Sequence, residues 1–94
     1  MKEIHYSLHL EFRLKFREIP YELPRKIYKT LKEKYFDNET KKLIIIGIAE
    51  YKGKLREIVV VYEEDDGKIN IITVHPLKQY QKISRIKSGR WRKI

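Results

Sequence analysis

The strongest fold signal lies in residues 43–76, LIIIGIAEYKGKLREIVVVYEEDDGKINIITVHP. Runs rich in β-branched residues alternate in it with short turns, and the runs are 43–51, 54–63 and 68–75. Lys52-Gly53 has the length and composition of a hairpin turn, and the second turn, 64–67, ends in glycine. The stretch therefore predicts three consecutive antiparallel strands.

The residues before this stretch predict a short strand and two helices. Residues 3–6 read as a strand, and Ser7 is a suitable N-cap for a helix that runs to about residue 17. Ile19-Pro20 ends that helix, and Pro24 fits the first turn of the next one. Helical spacing in this second helix is kept by Leu23, Ile27, Tyr28, Leu31 and Tyr35.

After a loop at 37–39 and the three strands, Pro76 is predicted to open a final helix that runs to about residue 87, where Ser88-Gly89 ends it. The order β-α-α-β-β-β-α predicts one α+β domain, 1–94, with helices packed on an antiparallel sheet in two layers. One sheet face is predicted to carry Ile44, Ile46 and Ile48 with Ile58, Val60, Tyr62, Ile69, Ile71 or Thr73. The other face, with Ile45, Val59 and Val61, is left for the final helix or a partner chain.

Composition limits the class of protein. The 94 residues include no cysteine, which excludes disulfides and thiolate zinc sites. The longest apolar stretch, 43–49, is too short to span a bilayer, and no signal-peptide core is visible, so we expect a cytoplasmic protein without membrane contact. Few Asn, Gln and Met beside abundant Lys, Glu and Ile are typical of a thermophilic source.

The positive charge is concentrated at the C-terminal end. Eight of the nine net charges lie in residues 67–94, which contain no Asp or Glu, whereas residues 1–66 carry 14 bases and 13 acids. Such a segment, here the helix and tail 76–94 with Tyr80 and Trp91 among the bases, is typical of proteins that bind RNA or single strands. A solvated basic tail is the alternative.

The first helix carries His9, Arg13 and Arg17 at four-residue intervals, which places them in one stripe. On a helical wheel Phe12, Phe16 and Ile19 flank this stripe on one side and Leu10 and Leu14 on the other, while Glu11, Lys15 and Glu18 face solvent. The stripe is therefore predicted to face the protein or a cleft. Two partners stay open, an internal ion pair with Glu50 or Glu57 and a bound phosphate.

Further bases lie on the hairpin and the final helix. Lys54 and Arg56 share a strand face, and Lys78, Lys82 and Arg85 are predicted to form one ridge. Arg90, Trp91 and Arg92 follow in the tail, where the tryptophan either contacts nucleic acid or anchors the tail to the core.

No metal motif, glycine-rich phosphate loop or nucleophile elbow is present, and we expect no cofactor or metal. His75 and Tyr80 are the candidate proton-transfer groups near the basic ridge, because histidine titrates near neutrality. A neutral structural histidine is the alternative.

Four segments resemble the RelE/ParE toxin superfamily, in a small branch that is similar in outline to BrnT-type toxins. They are Ser7-x-His9-x3-Arg13-x3-Arg17-x-Ile19-Pro20, the strand segments IVVVY (58–62) and ITVHP (72–76), and RIKSGRW (85–91). The resemblance implies the compact RelE-like fold. Some members cleave mRNA on the ribosome and others act on gyrase.

In the cleaving members, strand-borne Lys or Arg and a C-terminal Tyr or His act without metal. The residues of matching type here are Lys54, Arg56, His75, Tyr80 and Arg85. The resemblance also implies an acidic antitoxin laid across the sheet and basic cleft.

The leading hypothesis is therefore an RNA-directed, RelE-like protein with metal-independent endoribonuclease activity on ribosome-bound mRNA. His75, Tyr80 and Arg85 would be catalytic, and the nucleic acid would be held by Arg13, Arg17, Lys54, Arg56, Lys78, Lys82, Arg90, Trp91 and Arg92. Two alternatives stay open: a non-catalytic RNA- or DNA-binding module, and a domain that docks an acidic protein. A weak homodimer is a further expectation.

Overall fold

The protein is an α+β structure built on one six-stranded sheet. The computed structural model describes residues 3–30 and 32–94. Its elements are β1 (Glu3–Tyr6), α1 (Leu8–Phe16), α2 (Leu23–Thr30), β2 (Glu33–Asp37), β3 (Leu43–Tyr51), β4 (Lys54–Asp65), β5 (Lys68–Pro76), α3 (Gln81–Lys87) and β6 (Trp91–Lys93).

The predicted meander is confirmed as β3, β4 and β5. Lys52 and Gly53 both have positive φ, at 51° and 80°, as a two-residue hairpin turn requires. The predicted N-cap is confirmed as well, because the backbone N–H of Leu10 donates to Ser7 Oγ at 3.0 Å.

The sheet is mixed, whereas the sequence predicted an antiparallel one. Its strand order is β1-β5-β4-β3-β2-β6. β1 runs parallel to β5 and pairs only with its first half, from Glu3 beside Lys68 to Tyr6 beside Ile71. The chain between β1 and β5 contains α1, α2, β2, β3 and β4, which gives the long connection that a parallel pair needs.

The second helix was predicted to reach Tyr35, but α2 ends at Thr30 and residues 33–37 form β2. Tyr35 pairs with Ile44 of β3 and is buried. Pairing to an existing strand overrides the helical spacing, since tyrosine and phenylalanine also favour strands. Leu31, which the helical prediction included, lies outside the described residues.

The final helix was predicted to open at Pro76, but Pro76 is the last residue of β5, opposite Ile58, and α3 begins at Gln81. Proline has no backbone N–H to donate to a neighbouring strand. At the end of a strand this costs no hydrogen bond of the sheet. The backbone N–H of Leu77 then donates to the Glu57 carbonyl at 2.8 Å and extends the contact with β4.

Two apolar clusters lie on opposite faces of the sheet. Under α1 and α2 are Leu10, Leu14, Ile19, Ile27, Ile45, Ile58, Val60, Tyr62, Ile69, Ile71 and Val74. On the other face, beside the 77–91 segment, are Tyr35, Ile44, Ile46, Val59, Leu77 and Trp91. The chain therefore has packed side chains on both faces of its sheet.

The predicted grouping of Ile44 and Ile46 with Ile58, Val60 and Tyr62 was wrong. Across the Lys52-Gly53 turn, Ile45 pairs with Val60 and Ile46 pairs with Val59, so even-numbered residues of β3 share a face with odd-numbered residues of β4. The turn length fixes this register.

Gly47 permits the close contact between α2 and β3. A Cβ added there would lie 2.9 Å from Cγ2 of the buried Ile27. We expect Gly47→Ala to lower the free energy of unfolding by about 1–3 kcal/mol in chemical denaturation. The cost should fall when Gly47→Ala is made in an Ile27→Ala background, because that change removes the colliding methyl. Equal costs in both backgrounds would contradict the close packing.

Candidate nucleic-acid interface

The second half of β5 has a free edge, because β1 stops opposite Ile71. Side chains from the start and end of α1 bond to its exposed backbone carbonyls. Ser7 Oγ donates to the Ile72 carbonyl at 3.3 Å, and Arg17 Nη1 donates to the Val74 carbonyl at 3.1 Å. Arg17 is thereby fixed at the end of β5, next to His75.

The stripe of His9, Arg13 and Arg17 was predicted to meet either an acidic partner or a bound phosphate. Among residues 3–30 and 32–94, none of the three forms an ion pair with a carboxylate. Glu57, one of the two acids that the sequence offered, is bonded by Lys82 at 3.1 Å. The described residues therefore do not supply the internal ion pair, and the positive charge of the two arginines is left uncompensated.

His75 lies within this positive charge. It pairs with Val59 and so points to the sheet face that carries Trp91 and Leu77. Burial is the main factor that lowers the pKa of His75, and the positive charges of Arg17, Arg85, Arg13 and Lys78 lower it further. The lowered pKa favours the neutral imidazole, which is the form that can accept a proton.

We call His75, Arg13, Arg17, Lys78 and Arg85 the basic cluster. The sequence pointed to all five, but only the fold shows that α1, β5 and α3 bring them together. α1 packs on one face of the sheet and α3 lies beside the opposite face, so residues of the two helices do not share a face. At the free edge of β5, Arg17 Nη1 bonds the Val74 carbonyl and so lies next to His75.

Trp91 is part of the core, and its ring contacts Arg85 of the basic cluster. Its ring is 3% exposed and stacks on Tyr35 with 5.7 Å between ring centroids. The Arg85 guanidinium lies over the ring at 5.4 Å, close enough for a cation–π contact. Of the two predicted roles for Trp91, the structure shows the anchor, and it adds the positioning of Arg85.

A second group of predicted residues lies in a neighbouring groove between β4 and the 77–83 segment. Arg56, Lys78, Tyr80 and Lys82 all line it. Tyr80 is 71% exposed and has a φ of 69°, in the left-handed region. Lys78 lines this groove and also acts on His75, so the groove and the basic cluster adjoin.

Lys82 differs from the arginines of the basic cluster because its positive charge is paired with carboxylates. Its Nζ contacts Glu33 at 2.5 Å and Glu57 at 3.1 Å, and the hydrogen bonds to both acids raise the pKa of Lys82 against the opposing effect of burial. The predicted ridge is also not one helical face, because Lys78 precedes α3.

The remaining predicted contacts lie elsewhere. Arg90 bonds the buried carboxylate of Asp37 at 3.1 Å, and Arg92 lies over the Phe36 ring at 5.4 Å. Both belong to the β6 side of the sheet, opposite the free edge of β5. Lys54 is exposed at the base of the Lys52-Gly53 turn. The structure does not bring these three to the basic cluster.

Two aromatic residues of α1 were missed by the sequence reasoning. Phe12 and Phe16 were expected on the inward side, but they are 69% and 81% exposed, and Leu10 and Leu14 bury the helix. Two leucines four residues apart mark the buried line of a short helix, and this signal was available in the sequence.

Residues 3–30 and 32–94 contain no group of three or more His, Asp or Glu placed to hold a metal ion. No helix of the described chain is long and apolar enough to cross a membrane. Comparison with protein-family models, with curated proteins and with solved structures gives no significant match to this chain. The resemblance to RelE-type toxins stays a prediction.

Proposed function

We propose that this protein is an RNA-directed, RelE-like protein whose basic cluster binds the phosphate backbone and cleaves ribosome-bound mRNA without a metal. The observation that carries the proposal is the position of His75 next to the Val74 carbonyl that Arg17 bonds, where Arg17 and Arg85 have no carboxylate partner in the described chain. Cations held together without acids repel one another, and a polyanion relieves that repulsion.

The chemistry follows from the two kinds of group in the cluster. The 2′-hydroxyl attacks the adjacent phosphorus while its proton passes to the neutral imidazole of His75. Arg17 and Arg85 stabilise the negative charge that builds on the phosphoryl oxygens. The bond to the 5′-oxygen breaks, and that oxygen takes a proton from the exposed Tyr80 hydroxyl. The products are a 2′,3′-cyclic phosphate and a 5′-hydroxyl.

Cation–π contact with the buried Trp91 ring gives Arg85 a fixed position, and the Val74 carbonyl does the same for Arg17. Such preorganised charges need little rearrangement when the phosphate becomes more negative, which is the condition under which electrostatic stabilisation is largest. Lys78 and Arg56 extend the positive surface into the neighbouring groove. An acidic protein partner, as the resemblance implies, would cover the same surface.

Arg85→Ala tests the binding half of this proposal. Removing one phosphate contact should weaken RNA binding and reduce the magnitude of the slope of log K against log salt by about 0.7. Fluorescence anisotropy between 50 and 300 mM salt, roughly the range in which such slopes are resolved, measures it. Lys68→Ala is the matched control, because Lys68 is an exposed base at the opposite end of β5. An unchanged slope for Arg85→Ala would remove Arg85 from the interface.

A further inference from the structure

The outward side of α1 is apolar. Leu8, Phe12 and Phe16 follow one another at four-residue spacing and are 85%, 69% and 81% exposed. None of them contributes to either buried cluster. Large apolar side chains in one contiguous exposed line mark a binding surface more often than isolated ones do.

Phe12 and Phe16 line a surface hollow together with the cationic stripe. The hollow has a volume of about 330 Å³, and its other lining residues are His9, Arg13 and Arg17. Arg13 and Arg17 also belong to the basic cluster, and Arg17 Nη1 donates to the Val74 carbonyl, next to His75, at 3.1 Å. The hollow is therefore continuous with the proposed phosphate-binding surface.

The charges beside the aromatic line are asymmetric. At about 100° per residue, His9 and Arg13 lie on one side of Phe12, and Glu11 and Lys15 lie on the other. A single nucleic-acid strand has the same asymmetry, with bases along one side and phosphates along the other. An acidic amphipathic helix carries carboxylates on both flanks of its apolar line and would meet Glu11.

A second copy of this chain fits the surface poorly. Two α1 helices packed antiparallel through Phe12 would place the same flank of each helix together, so Arg13 of one copy would lie beside His9 and Arg13 of the other. Each copy also carries a net charge of +9. The repulsion opposes self-association through this face.

Resting on the proposed function, we infer that the hollow on α1 binds unpaired bases, which stack on Phe12 and Phe16 while Arg13 and Arg17 hold their phosphates. The substrate class is therefore single-stranded RNA. A duplex buries the faces of its bases within its own stack and cannot offer them to phenylalanine. From the stacked bases the RNA strand would continue past Arg17 to His75. The cleaved phosphate would therefore lie next to unpaired nucleotides.

The test compares three 2′-O-methyl RNA probes, which lack the attacking hydroxyl and so stay intact: a single strand, its duplex, and the same strand with abasic sites at its centre. The variant is Phe12→Leu/Phe16→Leu, which keeps an apolar surface and removes the aromatic rings. Phe36→Leu is the matched control, because Phe36 lies on β2 at the other side of the sheet. Fluorescence anisotropy gives each affinity.

Wild type should bind the intact strand at least about fivefold more tightly than either the abasic strand or the duplex. The double variant should lose that preference and bind the abasic strand as wild type does, whereas Phe36→Leu should behave as wild type. An intact preference in the double variant, with salt-dependent binding preserved, would overturn the stacking inference and leave the proposed function standing.

Absence of binding to every RNA probe would overturn both the inference and the proposed function. Preferential binding of an acidic amphipathic helical peptide, lost in Phe12→Leu/Phe16→Leu, would assign the surface to a protein partner and overturn the inference.

Discussion

His75→Gln is expected to lower the rate of mRNA cleavage by about 10²–10⁴-fold, the usual contribution of a general base. Glutamine keeps a polar side chain of similar reach but cannot take the proton of the 2′-hydroxyl. RNA affinity should change little, because the imidazole is neutral and Arg13, Arg17 and Arg85 remain to bind phosphate. Single-turnover cleavage on programmed ribosomes and anisotropy with uncleavable RNA measure the two quantities separately.

The pH dependence of the rate gives a second measure of the same group. Because the pKa of His75 is lowered from 6.5, chiefly by burial and then by Arg17, the rate should begin to fall only below pH 6.5. Arg85→Ala removes one of the positive charges, so it should move this acid limb toward higher pH. A His75→Gln variant with the wild-type rate and pH profile would exclude His75 from the reaction.

Asp37→Ala is expected to cause the largest loss of stability, about 3 kcal/mol or more in the free energy of unfolding. The carboxylate is 2% exposed, accepts hydrogen bonds from the backbone N–H groups of Glu39 and Thr40, and pairs with Arg90. Its removal would leave those backbone donors unpartnered, and would leave the Arg90 guanidinium beside the Trp91 core with only the exposed Glu39 carboxylate. For a domain of this size the midpoint of thermal unfolding should fall by about 12 °C or more.

Glu39→Ala is the matched control, since its carboxylate also approaches Arg90, at 3.5 Å, but is 69% exposed. We expect that change to lie within about 0.5 kcal/mol of wild type. Similar losses in the two variants would show that burial of the Asp37 pair is unimportant.

The Asp37 contribution also depends on pH. Burial acts to raise the pKa of Asp37, but the hydrogen bonds from Arg90, Glu39 and Thr40 outweigh it and lower the pKa below 3.8. A carboxyl group whose folded pKa is lowered stabilises the protein fully above its unfolded pKa and loses that contribution as the pH falls through the folded value. The stability difference between wild type and Asp37→Ala should therefore be constant near neutrality and shrink below about pH 4.

Short-range signals in the sequence were sufficient to predict the elements that depend only on neighbouring residues. The Lys52-Gly53 turn, the Ser7 cap and the β-branched runs predict β3, β4, β5 and the start of α1, and the structure confirms them. The same signals failed where a distant partner decides. Tyr35 keeps helical spacing with Ile27 and Tyr28, yet pairing with Ile44 makes it part of β2.

For the candidate site, the sequence likewise predicted the residues but not their arrangement. Residue type and charge density were enough to single out His75, Arg85 and the Arg13–Arg17 stripe. They could not show that β1 ends early and leaves an edge where Arg17 bonds the Val74 carbonyl next to His75, because that depends on the register of two strands far apart in sequence. Nor could they separate Arg85 from Lys82, whose charge is taken up by Glu33 and Glu57 from two other strands.

The action of the basic cluster on mRNA is measured most directly by primer-extension mapping of a message in a translating extract that contains wild-type protein or His75→Gln. We expect new 5′-hydroxyl ends within the translated region for wild type, and their loss in the variant. Intact mRNA in the presence of correctly folded wild-type protein, or cuts that persist in His75→Gln, would contradict the proposed function.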